Sequence, residues 1–116
     1  MHRYKDLDIW KLSRLYCSRI YAITSNFPEY EKFGSTNQLR RAAISVPSNI
    51  AEGSSRISNK EFSRYLEIAI GSYFEMETQL LISFDLGYIE QSELDALLNE
   101  LCIIIKMISK FRSTLN

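Results

Sequence analysis

Apolar residues recur every three or four positions in four separate stretches of the chain, a spacing that places them on one face of an α-helix. The predicted helices cover roughly residues 8–26, 37–53, 59–86 and 92–115. The stripes of the third and fourth stretches alternate strictly by three and four, which is typical of near-antiparallel bundle packing. Because the connections are short, we expect an all-α, antiparallel up-down-up-down four-helix bundle, a single domain over residues 1–116.

The second predicted helix is rich in small residues and contains a proline. Pro47 has no N–H to donate to the carbonyl of Ala43, so we expect the helix to be kinked at Pro47. Asn49 is the candidate partner for that freed carbonyl. Gly53 suits the left-handed position that follows many helices, so we predict that it ends this one.

The other helix ends also carry recognisable signals. Pro28 pushes the residue before it out of the helical region and so ends the first helix. Ser58 followed by Glu61 predicts a capping box at the start of the third helix. Gly87 is predicted to stop the third helix, and Ser92 to begin the fourth.

Three of the predicted helices carry more apolar side chains than one buried stripe requires. Such surplus faces are typical of an interface, so we expect the protein to form a homo-oligomer. The alternative is a wide core stripe with a few stray exposed residues. The predicted interface residues are Trp10, Cys17 and Tyr21 on the first helix, Ile70, Phe74 and Leu81 on the third, and Ile103 and Met107 on the fourth.

The composition is that of an ordinary globular protein without net charge. The chain is 46% hydrophobic and 24% charged, and its 14 basic residues balance 14 acidic ones. The distribution is uneven, because residues 34–66 hold five bases against two acids, whereas residues 67–105 hold eight acids and no base. Whole-molecule attraction to nucleic acid is therefore not expected, but a local basic surface is possible.

The chain shows no sign of a membrane or secretory protein. No uncharged apolar run approaches the length of a membrane span, and the charged start of the chain lacks the apolar run of a signal peptide. Cys17 and Cys102 stand alone, outside any motif, and resemble small hydrophobic residues. Lone thiols fit a reducing compartment, so we expect a cytoplasmic protein with no membrane partner.

Catalysis is not expected from this set of side chains. A di-metal bundle needs inward-pointing Glu-x-x-His pairs, whereas the one histidine is His2, and Glu67 and Glu75 fall opposite the core stripe. Neither cysteine has a histidine partner, and a Gly-rich phosphate loop is missing. The sequence therefore predicts no catalytic residue, no metal and no cofactor.

Five basic residues on the second and third helices are the candidate nucleic-acid contacts, because guanidinium and ammonium groups bind phosphate. The alternative is that Arg41 pairs with Glu67 or Glu75, and Lys60 with Glu52, in salt bridges between the two helices. In a symmetric oligomer a modest patch is repeated, which multiplies the phosphate contacts. The candidates are Arg40, Arg41, Arg56, Lys60 and Arg64.

Several runs of the sequence resemble a known family. They are DLDIWK, FPEYEKFG, QLRRAAISVPSNIAEGSSR, EFSRYLEIAIGSYFEMETQL and DLGYI. Together they look like the four-helix-bundle proteins encoded in intervening sequences of bacterial 23S ribosomal RNA genes, over roughly residues 6–112. The positions that match the family's motif are Arg40, Arg41, Pro47, Asn49, Glu52, Gly53, Arg56, Gly71, Ser72 and Glu75.

The resemblance implies an antiparallel four-helix bundle that assembles as a homopentamer. It also implies similarity to the accessory variability determinant of diversity-generating retroelements, a pentamer of the same fold that works with a reverse transcriptase and binds nucleic acid. The leading hypothesis is a non-enzymatic homo-oligomer that binds RNA or DNA. The alternative is a protein-interaction scaffold, for example for a reverse transcriptase, with no direct nucleic-acid contact.

Overall fold

The computed structural model describes residues 2–116, and within that range the chain forms helices and no strand. The four long helices begin and end within two residues of the predicted bounds, which confirms the all-α prediction. They are α1 (Asp8–Thr24), α2 (Ser35–Ser54), α3 (Asn59–Asp85) and α4 (Gln91–Ser113), with short 3-10 turns at Tyr4–Asp6 and Glu29–Glu31.

The helices follow one another up and down the bundle. Each packs against its neighbours in the chain, and α1 closes the bundle by packing against α4. At one end, the Tyr88 hydroxyl in the α3–α4 connection donates to the Glu31 carboxylate in the α1–α2 connection at 2.9 Å. At the other end, the His2 backbone N–H donates to the carbonyl of Ser54. The predicted up-down-up-down bundle is confirmed, with overall dimensions of 44 × 24 × 20 Å.

The four apolar stripes meet in a single core. The predicted α3 stripe is essentially fully buried along its whole length, from Phe62 to Leu80. Leu39, Val46 and Ile50 of α2 are equally buried against it. Full burial of one such side chain stabilises the fold by about 1.5–3 kcal/mol, so the core supplies most of the driving force for folding.

Two buried tyrosines connect α1 to α4 and to α3 through hydrogen bonds. The Tyr16 hydroxyl donates to the carbonyl of Leu97 on α4, and the Tyr73 hydroxyl donates to Ser13 on α1, each at 2.9 Å. Their rings meet edge to face, with centroids 5.5 Å apart. Burial raises the pKa of both hydroxyls, because a phenolate would lose its hydration there. Both groups therefore act as neutral donors.

Gly53 has a different role from the predicted one. It lies inside α2 and is buried, whereas Gly87 is the residue with positive φ among residues 2–116. The prediction that Gly53 ends the helix in a left-handed conformation is therefore wrong. A Cβ at Gly53 would stand 2.6 Å from the Cβ of Tyr65 and 2.9 Å from Cδ1 of Phe62. The missing side chain thus allows α2 and α3 to approach closely.

α2 continues through Pro47 as one helix, and a bend of its axis at this point stays a prediction. The prediction that Asn49 pairs with the freed carbonyl of Ala43 is wrong. The Asn49 side-chain amide instead donates to the carbonyl of Ser45 at 2.7 Å. The reason is register, because a side chain reaches the carbonyl four residues earlier, and for Asn49 that residue is Ser45.

The signals around α3 are confirmed. The Ser58 hydroxyl accepts a hydrogen bond from the Glu61 backbone N–H at 3.1 Å, which is one of the two bonds of the predicted capping box. After the helix, Gly87 adopts φ of 83°, a conformation that other residues rarely take.

α4 begins one residue earlier than predicted. Gln91 is its first residue, and Glu90 rather than Ser92 occupies the capping position. Glu90 and Glu93 form a reciprocal capping box. Glutamate is not among the preferred capping residues, so the usual sequence signal pointed to the nearby serine.

We predict that Gly53→Ala destabilises the protein. The added methyl group collides with Tyr65 and Phe62, and overpacking of this kind costs about 1–3 kcal/mol. The better helix propensity of alanine offsets up to about 1 kcal/mol of that loss. The free energy of unfolding, measured by urea denaturation and circular dichroism, should therefore decrease.

Gly71→Ala is the matched control. Gly71 also lies inside a helix, but a Cβ there meets no atom within 4 Å. The same substitution at this position should increase the free energy of unfolding by about 0.5–1 kcal/mol. If Gly53→Ala were as stable as wild type, the close approach of α2 and α3 would be contradicted.

Candidate nucleic-acid interface

A row of hydrogen-bonded polar side chains runs along the outer side of the α2–α3 contact, and we call it the polar seam. The hydroxyls of Ser45 and Ser72 lie 3.0 Å apart and share a hydrogen bond. Further along, the Gln79 amide donates to Gln38 at 3.3 Å and to Glu75 at 3.2 Å. The seam consists of Gln38, Ser45, Asn49 and Glu52 on α2, Arg56 in the α2–α3 turn, and Tyr65, Ser72, Glu75 and Gln79 on α3.

Arg56 belongs to a compact group at the α2–α3 turn. Its Nη2 donates to the Tyr65 hydroxyl at 2.7 Å and to the Glu52 carboxylate at 3.0 Å, and the Tyr65 hydroxyl donates to the same carboxylate. The hydrogen bond to Tyr65, followed by that to Glu52, raises the pKa of Arg56. Glu52 offsets the charge of Arg56, so this residue is a weaker anion contact than the sequence suggested. The sequence did not predict Tyr65 at this site, because a tyrosine next to the apolar stripe of a helix is typical of a core residue.

Arg40 connects α2 to the end of α1. Its Nε donates to the Thr24 hydroxyl at 2.8 Å, and its Nη2 donates to the carbonyl of Tyr21 at 3.2 Å. The guanidinium carbon also lies 4.6 Å from the centroid of the Tyr21 ring. The Tyr21 carbonyl also accepts from the backbone N–H of Ser25, so Arg40 adds a further donor to it at the end of α1. Its donors are therefore engaged within the fold.

Arg41, the next residue, is exposed on the other flank of α2. It makes no salt bridge or hydrogen bond with any of residues 2–116, so the alternative pairing with Glu67 or Glu75 does not form. Glu67 instead accepts from Arg112 at 3.0 Å. Arg41 borders an open cleft of about 460 Å³ beside the polar seam.

Lys60 and Arg64 lie one turn apart at the start of α3, and both are exposed. Within the described part of the chain neither has an ion-pair partner, because Glu52 is engaged by Arg56 and Tyr65. They border a cleft of about 540 Å³ between the start of α3 and the end of α4. Of the five predicted contacts, these two and Arg41 are free to meet a ligand.

The antiparallel fold sorts the charges by end. We call residues 2–16, 45–72 and 102–116 the basic end, and residues 17–44 and 73–101 the acidic end, dividing each helix near its midpoint. The basic end has ten Lys and Arg against five Asp and Glu, whereas the acidic end has four against nine. The neutral protein is therefore +5 at one end and −5 at the other. Charges summed along the linear sequence did not show this division.

The predicted interface residues fall into two groups. Tyr21, Phe74, Leu81 and Ile103 are exposed, although Tyr21 lies under the Arg40 guanidinium. The other four, Trp10, Cys17, Ile70 and Met107, are half-buried against the core. Phe74 and Leu81 share the outward side of α3 with the exposed Ile68 and Ile82. Of the helices that carry predicted interface residues, α3 therefore has the most exposed apolar side chains.

The structure offers little for metal or thiol chemistry. In residues 2–116, no group of three or more His, Cys, Asp or Glu side chains is arranged to hold a metal ion. Burial raises the pKa of the Cys17 thiol, which disfavours the thiolate that a nucleophile needs. Nor does any helix in this range combine the length and apolar character needed to cross a bilayer.

Comparison with known families places this architecture. The family described as 23S rRNA-intervening sequence protein matches residues 5–110, almost the whole chain. The chain belongs to this family. Five of the ten positions that match the family motif lie in the polar seam, and Gly53 and Gly71 lie on the same two helices. Membership in the 23S rRNA-intervening sequence family thus agrees with the resemblance found in the sequence.

A solved structure shares the fold. It is the crystal structure of a protein of unknown function from the S23 ribosomal protein family of Bacteroides thetaiotaomicron, with a TM-score of 0.80. The two sequences are 24% identical, and the match covers 90% of this chain and 97% of that one. At that identity the likeness shows the fold alone. In sequence, no curated protein matches the chain.

We predict that Arg40→Gln destabilises this member of the 23S rRNA-intervening sequence family by about 1–2 kcal/mol. The substitution removes charge-assisted hydrogen bonds to Thr24 and to the end of α1. Arg41→Gln removes the same charge at the next position, where no hydrogen bond is lost, and should change stability by less than about 0.5 kcal/mol. Thermal and urea unfolding measure both variants. Equal effects of the two substitutions would contradict the assigned role of Arg40.

Proposed function

We propose that this protein is a non-enzymatic, cytoplasmic homo-oligomer, expected to be pentameric, that binds RNA or DNA through exposed basic side chains. The observation that carries the proposal is the pair Lys60 and Arg64, which is exposed, unpaired within residues 2–116 and next to an open cleft. The family to which the chain belongs is named after the intervening sequences of 23S ribosomal RNA, and this association supports a nucleic-acid partner.

The basic pair suits a phosphate backbone better than a small ligand. Arg64 can form two parallel hydrogen bonds to one phosphate, and Lys60 can act as a point charge on the next. Two such contacts per chain give weak binding. Repetition around an oligomer makes the contacts simultaneous, and the affinity then falls steeply with salt.

The outward side of α3 supports self-association. Phe74 and Leu81 are 53% and 43% exposed, and both lie on the side of α3 that faces away from the core. Exposure of such an apolar surface to water is unfavourable, so its burial against a second copy of the chain would stabilise an oligomer.

We predict that Phe74→Glu reduces assembly. A carboxylate buried at the interface would lack a partner and would cost several kcal/mol. Light scattering after size exclusion, at micromolar protein, should show a smaller particle. Leu15→Glu is the control, because Leu15 on α1 is 61% exposed and is not a predicted interface residue. A wild-type protein that is monomeric at this concentration would contradict the oligomer.

We predict that Lys60→Gln/Arg64→Gln weakens binding to an RNA hairpin and to duplex DNA. Two lost phosphate contacts should reduce the steepness of log affinity against log salt by about 2 for each chain that contacts the nucleic acid. Fluorescence anisotropy across a salt series measures the slope. The swap Lys60→Arg/Arg64→Lys keeps both charges and should keep the slope. No binding by wild type at low salt would overturn the proposed nucleic-acid role.

The acidic end favours a second candidate function. Eight of its nine carboxylates form no ion pair within residues 2–116, the exception being Glu100, which pairs with Arg19. An accessible acidic surface suits a basic protein partner, for example a reverse transcriptase, for which the bundle would be a scaffold. Co-purification of such a protein without nucleic acid would favour the scaffold.

A further inference from the structure

The basic end carries more free positive charge than the sequence pattern of α2 and α3 indicated. Its ten cations include three in ion pairs: Arg3 with Asp6, Arg56 with Glu52, and Arg112 with Glu67. The remaining seven are exposed and form no ion pair within the described chain. They are Lys5, Lys11, Arg14, Lys60, Arg64, Lys106 and Lys110.

The acids that remain at this end are few. Three of its five carboxylates are the partners in those ion pairs. Asp8, in the first turn of α1, and Glu61, in the first turn of α3, are the other two. Seven free cations against two free carboxylates give the same net +5 as the full count. The excess therefore resides on side chains that can move to meet a ligand.

We propose that the whole basic end, and not the α2–α3 face alone, receives the phosphate backbone of the nucleic acid. In this arrangement Lys11 and Arg14 of α1 and Lys106 and Lys110 of α4 contact phosphates together with Lys60 and Arg64. The acidic end points away from the nucleic acid. This inference rests on the proposed function and adds to it four contact residues and an orientation.

Screening explains how a neutral protein attracts a polyanion at one end. At physiological salt, the potential of an exposed charge decays over about 8 Å. The bundle is 44 Å long, so the centres of the two ends lie about half that length apart, more than two decay lengths, and the charges of the acidic end are weakened at the outer part of the basic end. A nucleic acid at the outer part of the basic end therefore experiences mainly the positive excess of that end and not the net zero of the molecule.

The size and composition of the basic end fit a duplex or a structured RNA. The bundle is 24 × 20 Å across, and duplex DNA carries one negative charge per about 1.7 Å of its axis. About a dozen phosphates therefore pass the basic end, which exceeds the seven free cations. Five of the seven are lysines, a residue type that is depleted in protein–protein interfaces. A phosphate backbone is the partner that these features favour.

Two variants that change the net charge by the same amount, at opposite ends of the bundle, distinguish the effect of charge location from the effect of total charge. Lys106→Gln/Lys110→Gln removes two charges from the exposed side of α4 at the basic end. Lys32→Glu also lowers the net charge by two, but it lies in the α1–α2 connection at the acidic end, and Lys32 makes no ion pair within residues 2–116. Circular dichroism and light scattering establish that both variants keep the fold and the assembly of wild type.

Anisotropy titrations with an RNA hairpin and a DNA duplex across a salt series provide the test. For Lys106→Gln/Lys110→Gln, the steepness of the salt dependence should decrease by about 2 for each chain that contacts the nucleic acid, and the affinity at 0.1 M salt should fall by roughly tenfold for each lost contact. Lys32→Glu should keep the slope and the affinity of wild type.

Three outcomes would overturn the inference. Equal losses in the two variants would mean that net charge matters and its location does not. Unchanged binding in both, combined with lost binding in Lys60→Gln/Arg64→Gln, would confine the contacts to α3 and leave the proposed function standing. Failure of wild type to bind either probe would overturn the proposed function itself, and the inference with it.

Discussion

The close approach of α2 to α3 is the constraint on which the rest of the structure depends. Gly53 permits it, because any larger side chain would overlap Tyr65 and Phe62. With the helices this near, small polar groups such as Ser45 and Ser72 can hydrogen-bond directly across the contact. The polar seam is therefore a consequence of the packing. It also holds the first turns of α3, where Lys60 and Arg64 lie, in a fixed position relative to α2.

Two adjacent arginines show how helix geometry engages one side chain in the fold and leaves the next one exposed. Successive residues on a helix are about 100° apart, so Arg40 and Arg41 lie on opposite flanks of α2. Arg40 meets the end of α1 and is engaged by its carbonyl and hydroxyl groups. Arg41 faces the α3 side, where the nearby acids already have partners. Identical side chains one position apart thus stabilise the fold in one case and remain available in the other.

The four helices could be predicted because spacing by three and four marks a buried face whatever the neighbours are, as the stripe from Phe62 to Leu80 shows. The role of Gly53 could not be predicted, since glycine suits both a left-handed helix end and a close approach of two helices, and tertiary contacts decide between them. The hydrogen-bond partners of Arg40 could not be predicted from the sequence either. An amphipathic pattern fixes which side of α2 is buried, but not whether a given flank faces α1 or α3. The same limitation concealed Lys106 and Lys110, which join the basic end only when the chain is folded.

The separation of charge along the bundle has a consequence for how the molecule behaves in an electric field. A particle with no net charge is not drawn along a uniform field, but opposite charges at its two ends make it rotate. Near a polyanion the field is strong and uneven, so rotation comes first and attraction follows as the nearer, positive end enters the counterion layer. The protein therefore approaches a polyanion preferentially with its positive end, whereas its zero net charge gives little attraction to weakly charged surfaces.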